Sequence, residues 1–309
     1  MKLAVLTLLL SANVAAAFPV TVKSCDREVT FDAAPKRAIS NDVNLTEMML
    51  VLGLRDRMVG YTGISGWKTL DAEAREGVAE LPELSAQYPS KEVLVGAEAD
   101  FFFAGWNYGM KVGGEVTPQT LEPFGIKTYE LTESCIFVGP KARSTMDDMY
   151  ADLLNLGTIF GVSQKAEALV AGYKARLEKV TAGVGRSAPL RVFVYDSGEE
   201  SPFTAGKYAI PTALIEAAGG VNIMDDLDKS WATVAWEPVV ERNPEVIVIV
   251  NYGDVTAAQK IAFLEENPAF AGMDAVKNDR YVVLEYVEAT PGPRNIRAVE
   301  KLVAGFWAK

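Results

Sequence analysis

Few residues of this 309-residue chain are suited to covalent chemistry. There is no histidine, which removes Ser-His-Asp and Cys-His catalysis, histidine-ligated zinc and histidine-ligated haem. Cys25 and Cys135 are too few for an all-cysteine iron–sulfur cluster or a four-cysteine zinc site. Ser134, beside Cys135, and Ser197, before Gly198, have no histidine to activate them. Ser65-Gly66-Trp67-Lys68 matches Ser-x-x-Lys, but it lacks the S-D-N and K-T-G companions of the penicillin-binding pattern and reads as a loop. Asp147 and Asp148 are helical neighbours and point apart, unlike an acid–base pair. These arguments disfavour an exported hydrolase and leave no catalytic residue to name. What remains is binding chemistry: aromatic side chains, a few amides and one arginine, gathered in turn-rich segments.

Composition narrows the ligand class. Hydrophobic residues make up 49% and charged residues 23%, which suits a globular chain with a substantial core. Acidic residues outnumber basic ones 41 to 30, so a nucleic-acid partner is not expected. Met1-Lys2, the apolar run Leu3 to Leu10 and Ala15-Ala16-Ala17 have the form of a secretory signal peptide cut after Ala17. The apolar run is too short to span a bilayer. The mature protein, 18 onward, is expected in a Gram-negative periplasm. That space is oxidising, so Cys25 and Cys135 are expected to form one disulfide.

The elements that must position the binding residues alternate between strand and helix. Short strands are predicted at Arg37–Ile39, Arg57–Tyr61, Phe101–Phe103, Lys127–Leu131, Arg191–Tyr195, Val246–Val250 and Tyr281–Leu284. Helices are predicted at Leu45–Leu52, with Asn44 as N-cap, and at Thr145–Phe160, Ser163–Thr181, Pro211–Ala218 and Pro293–Trp307. Such alternation implies an α/β fold of mainly parallel sheets covered by helices.

An internal repeat divides the chain. Glu92 starts a short helix, followed by Asp100, the strand Phe101–Phe103 and Asn107-Tyr108-Gly109. Glu237 starts another, followed by Glu245, the strand Val246–Val250 and Asn251-Tyr252-Gly253. Two similar lobes are therefore expected, at 18–162 and 186–309, joined by one long helix within 163–185. Ligands of open α/β sheets sit beyond the carboxyl ends of the strands. The loops there hold Asn41, Tyr61, Trp67, Trp106 and Tyr108 in the first lobe. In the second they hold Asp196, Phe203, Trp231, Tyr252 and Arg294. A cationic side chain at a helix start opposes the dipole, so Arg294 needs a carboxylate, a ligand anion or the opposite lobe; a cleft role is favoured. Trp236 and Trp307 read as packing residues. An acidic loop at Asp196, Glu199 and Glu200 would favour a cationic or neutral ligand if it faced the cleft.

Several segments resemble the periplasmic substrate-binding proteins of ABC importers for iron–siderophores, cobalamin and haem. They are Val29-Thr30-Phe31-Asp32, Pro35-Lys36-Arg37-Ala38-Ile39, Ser90-Lys91-Glu92-Val93, Pro202-Phe203-Thr204-Ala205-Gly206, Ala218-Gly219-Gly220-Val221-Asn222, Val234-Ala235-Trp236-Glu237-Pro238 and Pro291-Gly292-Pro293-Arg294. The resemblance implies a monomer that captures a metal chelate between its lobes and delivers it to an ABC permease dimer at the inner membrane. It also implies that Glu92 and Glu237, one per lobe, dock onto the permease; each would equally complement its own helix dipole. The ligand would carry its own metal, so no resident cofactor or protein metal site is expected. A ferric siderophore is the leading ligand. Cobalamin or another corrinoid, haem and an organic cofactor precursor are the alternatives.

Overall fold

The computed structural model describes residues 18–65, 72–184 and 188–307. The predicted signal peptide and Trp67 lie outside the described residues. No described helix is long and apolar enough to cross a membrane.

The N-terminal half builds a parallel sheet in the order Glu83–Ser85, Met58–Thr62, Ala38–Asn41, Phe101–Trp106, Lys127–Glu130. Gly109–Met110 adds a short pairing to Phe101–Trp106. The C-terminal half builds a second parallel sheet in the order Gly220–Asn222, Leu190–Tyr195, Val246–Asn251, Tyr281–Glu285. The central strands are buried on both faces, which is why Phe101-Phe102-Phe103 and Val246 to Val250 are uninterrupted apolar runs. Two antiparallel ribbons absent from the sequence reading complete the strands: Val20–Ser24 with Arg27–Phe31, and Phe203–Ala205 with Trp231–Thr233.

The helix Ser163–Thr181 lies between the two sheets in the chain. Its Ala166 and Val170 are buried in the first core, and Leu177 packs against both cores. It crosses the preceding helix, Met146–Ile159, closely: a Cβ at Gly157 would lie 2.4 Å from that of Ala166. Glycine is required there by contact.

The repeat is a structural equivalence. Lys91–Gly96 carries Glu92 in its first turn and leads to Phe101–Trp106; Trp236–Arg242 carries Glu237 and leads to Val246–Asn251. The second acid of each copy does the same work. Asp100 accepts from the backbone N–H groups of Lys36 and Arg37 at 2.8 and 2.9 Å, and Glu245 from that of Arg191 at 3.0 Å. Each fastens the start of its central strand to the neighbouring strand.

Cys25 and Cys135 are joined in a disulfide, closing a loop across 110 residues. It ties the N-terminal ribbon to the segment after Lys127–Glu130, where Ser24 and Arg27 also donate to the buried Glu130 carboxylate at 2.7 Å each. One local expectation is corrected. The N-cap of the helix Val43–Val51 is Asp42, whose side chain accepts from Val43 N–H at 2.6 Å. Asn44 lies inside the helix and donates to Pro291 O of the other lobe at 2.7 Å.

Candidate functional site

A cavity of about 290 Å³ lies between the two sheets at the carboxyl ends of their strands. The first lobe contributes Tyr88, Asn107, Tyr108 and Phe137; the second contributes Asp196, Phe203, Ser230, Trp231, Tyr252, Tyr286 and Thr290. Phe203 and Trp231 come from the antiparallel ribbon. Phe203 opposes Thr233 and Trp231 opposes Ala205, so the two rings are diagonal neighbours on one face. They stack with centroids 5.8 Å apart and planes 19° apart. Tyr252 and Tyr286 follow adjacent parallel strands, and their centroids lie 4.9 Å apart. Tyr286 donates from its hydroxyl to Asp42 Oδ2 across the lobes at 2.8 Å.

Four expected ligand residues, Tyr108, Phe203, Trp231 and Tyr252, therefore line one cavity with Asp196. Tyr108 reaches it through a tight turn in which Asn107 adopts φ 64°, a left-handed conformation that asparagine tolerates. Other expected residues are placed elsewhere. Trp106 ends the strand Phe101–Trp106, and alternation puts it on the face of Phe102 and Ala104, in an apolar cluster away from the cavity. Its indole N–H donates to Glu130 Oε1 at 3.0 Å. Tyr61 packs with Val43, Ile64, Ala74, Val78 and Val287. Asn41 is fully buried, accepts from Thr62 Oγ1 at 2.9 Å, and leaves room only for glycine at position 109, whose Cβ would lie 2.7 Å from its Cγ.

Arg294 is also corrected. It does not line the cavity; its guanidinium pairs with Glu47 of the first lobe, Nε donating at 2.9 Å. Of the three partners its position required, the opposite lobe's carboxylate is the one found.

Tyr88, Asn107, Phe137, Ser230, Tyr286 and Thr290 were missed by sequence reasoning. Tyr286 directly follows Tyr281–Glu285, so the strand-end rule that selected Tyr252 could have found it. Asn107 stood in the repeated Asn-Tyr-Gly motif. Tyr88 lies in a loop and Phe137 ends the short 3-10 helix Thr132–Phe137, neither with a periodic signal.

The cavity's electrostatics are lopsided. Asp196 is buried, and burial raises its carboxyl pKa against a hydrogen bond from Ser197 Oγ at 2.8 Å. Among the described residues no lysine or arginine lines the cavity. Lys260 is close but committed: its Nζ donates to the carbonyls of Asp196, Val250 and Tyr252, tying together the ends of two strands. Burial lowers its pKa. At the lobe interface Glu133 is buried, accepts from Ile210 N–H of the other lobe at 2.7 Å, and has its carboxyl pKa raised to about 8 by that burial. No group of three or more potential metal ligands occurs among the described residues. The arrangement can enclose an aromatic-compatible ligand, and it offers no nucleophile with a base.

Glu92 and Glu237 are exposed, each in the first turn of a helix that runs back into a parallel strand. Both therefore sit on the carboxyl-end side of their sheets, the side on which the cavity lies.

Comparison with known proteins gives this geometry a lineage. Residues 42–286 match the family described as periplasmic binding protein. An ABC transporter substrate-binding lipoprotein of Bacillus subtilis is 24% identical over 295 residues, covering 94% of this chain and 86% of that protein. The vitamin B12-binding protein of Pectobacterium atrosepticum is 26% identical, covering 73% of this chain and 75% of its own. A periplasmic binding protein from Veillonella parvula superposes with a TM-score of 0.80 at 28% identity, covering 93% of this chain and 96% of that chain. A protein of an ABC-type Fe3+-hydroxamate transport system from Saccharomonospora viridis superposes at 0.79 with 26% identity, covering 94% and 100%. The chain belongs to the periplasmic binding protein family, among the substrate-binding components of ABC importers.

Proposed function

We propose that this protein is exported after cleavage behind Ala17, captures an uncharged or cationic metal chelate between its lobes, and hands it to a permease dimer as a monomer without transforming it. The leading ligand is a ferric hydroxamate siderophore. One observation carries the reading: the interlobe cavity is walled by aromatic rings and one carboxylate, with no cationic side chain among its described lining. Aromatic walls suit the apolar backbone of a chelator, and a few polar groups orient it. An anionic ferric catecholate or carboxylate would meet Asp196 without a compensating arginine. The chelate supplies its own metal ligands, which agrees with a chain that has no histidine. The hydroxamate-transport neighbour supports this ligand class. The B12-binding relatives favour a corrinoid as the second reading. Glu92 and Glu237 are the proposed permease contacts, and Trp67 keeps its proposed ligand role.

Trp231 in the cavity wall supplies the test. Tryptophan fluorescence, to which Trp231 contributes, is followed while the mature protein is titrated with ferric hydroxamate, catecholate and carboxylate siderophores, cobalamin and haem. Saturable quenching by the hydroxamate, with none by the anionic chelates, is the expected result. Tight binding of the catecholate would overturn the charge argument, and saturation by cobalamin alone would install the second reading.

A further inference from the structure

We propose that the ligand presents a cationic organic group, an alkylammonium, which seats in the cavity against Asp196 and the rings of Tyr252 and Tyr286. This deepens the reading above and rests on its choice of cavity as the ligand site.

The observations are independent of the chelate's identity. Asp196 is only 6% exposed, and its carboxylate lines the cavity with a single hydrogen-bond donor, Ser197 Oγ. Among the described residues no ion pair reaches it. Lys260, the cation nearest to it, spends its ammonium on three carbonyl oxygens, one of them the backbone oxygen of Asp196 itself. Lys260 acts on the Asp196 carboxylate only through its field, not through a direct ion pair, and desolvation outweighs that help, so the buried carboxylate is costly. A ligand cation would supply a direct partner.

The surrounding rings suit the same charge. An aromatic face carries negative potential and attracts ammonium groups, most strongly when water is excluded. Tyr252 and Tyr286 lie 4.9 Å apart and 30° from parallel, and Phe203 and Trp231 stack nearby, so four rings bound the space beside Asp196. The Tyr286 hydroxyl already donates its hydrogen to Asp42. Burial first, and the Asp42 charge after it, keep that phenol neutral. The Asp42 carboxylate acts on Tyr88, Tyr108 and Tyr252 as well and adds to the negative potential of the lining. No cationic side chain in the described lining would neutralise an anion.

Two matched pairs of probes test this. The first is choline against its uncharged carbon isostere dimethylbutanol. The second is a ferric linear trihydroxamate ending in a free amine against the same complex N-acetylated. Tryptophan quenching, to which Trp231 contributes, is read for each, in the parent protein, in Asp196→Asn, which keeps shape and hydrogen bonding, and in Tyr252→Leu, which keeps an apolar side chain without a π face. The charged member of each pair should bind about tenfold more tightly than the neutral one, and both variants should erase most of that preference. Equal binding of the two trihydroxamates, with no choline effect, would overturn the cation site while leaving the chelate reading intact. Choline quenching that depends on Asp196, with neither trihydroxamate binding, would sustain the cation site and sink the hydroxamate reading. A preference that survives both substitutions would overturn the assignment to this cavity.

Discussion

Glu47 and Arg294 stand 247 residues apart in the chain and form a buried, two-pronged ion pair, with Nε donating to Oε2 at 2.9 Å and Nη2 to Oε1. The pair joins the helix Val43–Val51 of one lobe to the start of Asn295–Phe306, the last helix of the chain. Tyr286 to Asp42 and Asn44 to Pro291 cross the same seam. Removing one partner leaves the other charge buried and uncompensated, so Arg294→Met should lower unfolding free energy by about 3–5 kcal/mol. The double variant Glu47→Leu with Arg294→Met should recover most of that loss. Urea unfolding measures both, and additive losses would show that the two side chains are not coupled.

Trp106 and Trp231 separate packing from binding. Trp106→Ala should cost about 3–5 kcal/mol of stability, the usual range for a buried tryptophan. At temperatures where it remains folded, it should bind ligand as the parent does. Trp231→Ala should weaken binding at least about tenfold, the loss of a buried aromatic contact of roughly 1.5 kcal/mol or more, and should change stability little. Calorimetric titration beside thermal unfolding distinguishes them; the reverse pattern would return Trp106 to the ligand.

Glu133 makes stability depend on pH. Its folded pKa, about 8, lies above the ordinary carboxyl value of 4.5 because it is buried. The native state therefore keeps a proton that the unfolded chain releases, and its stability drains away as pH rises through the interval between those values. Asp152, buried and raised from 3.8 to about 7 by desolvation, acts in the same direction. Glu133→Gln retains an acceptor for Ile210 N–H and cannot ionise. Its melting temperature relative to the parent should climb between pH 5 and pH 8 and level off above. A constant difference across that range would exclude Glu133 as the titrating group.

Glu92 and Glu237 occupy equivalent exposed positions, one on each lobe. The double variant Glu92→Ala with Glu237→Ala should abolish ligand uptake by cells and leave ligand affinity of the purified protein unchanged. Uptake at the parental rate would reduce both residues to helix-terminal charges.

The disulfide closes a loop across 110 residues, for which chain entropy gives about 4–5 kcal/mol. Cys25→Ser with Cys135→Ser should lower stability by roughly 2–5 kcal/mol, measured by denaturant unfolding without reductant. Stability at the parental level would mean that the N-terminal ribbon is held by Glu130 and packing alone.

The sequence by itself determined the alternation of strand and helix, the linking helix Ser163–Thr181, the repeat around Glu92 and Glu237, and the strand-end loops beside which the cavity lies. Those features arise from local periodicity and from residues near one another in the chain. It also constrained Arg294, since a cation at a helix start demands a partner; only the tertiary structure chose Glu47. The same division runs through the aromatics. Tyr252 and Trp231 were legible because loops at strand ends point outward, whereas Trp106 was misplaced because the strand runs three residues beyond its apolar core and alternation then turns the ring inward. Tyr88 and Phe137 reach the cavity from a loop and a short 3-10 helix whose courses depend on distant packing. Asp196 shows the limit most clearly: one acid among many in the chain, it becomes a buried carboxylate outside any direct ion pair only in the folded structure, where Lys260 is held by carbonyls.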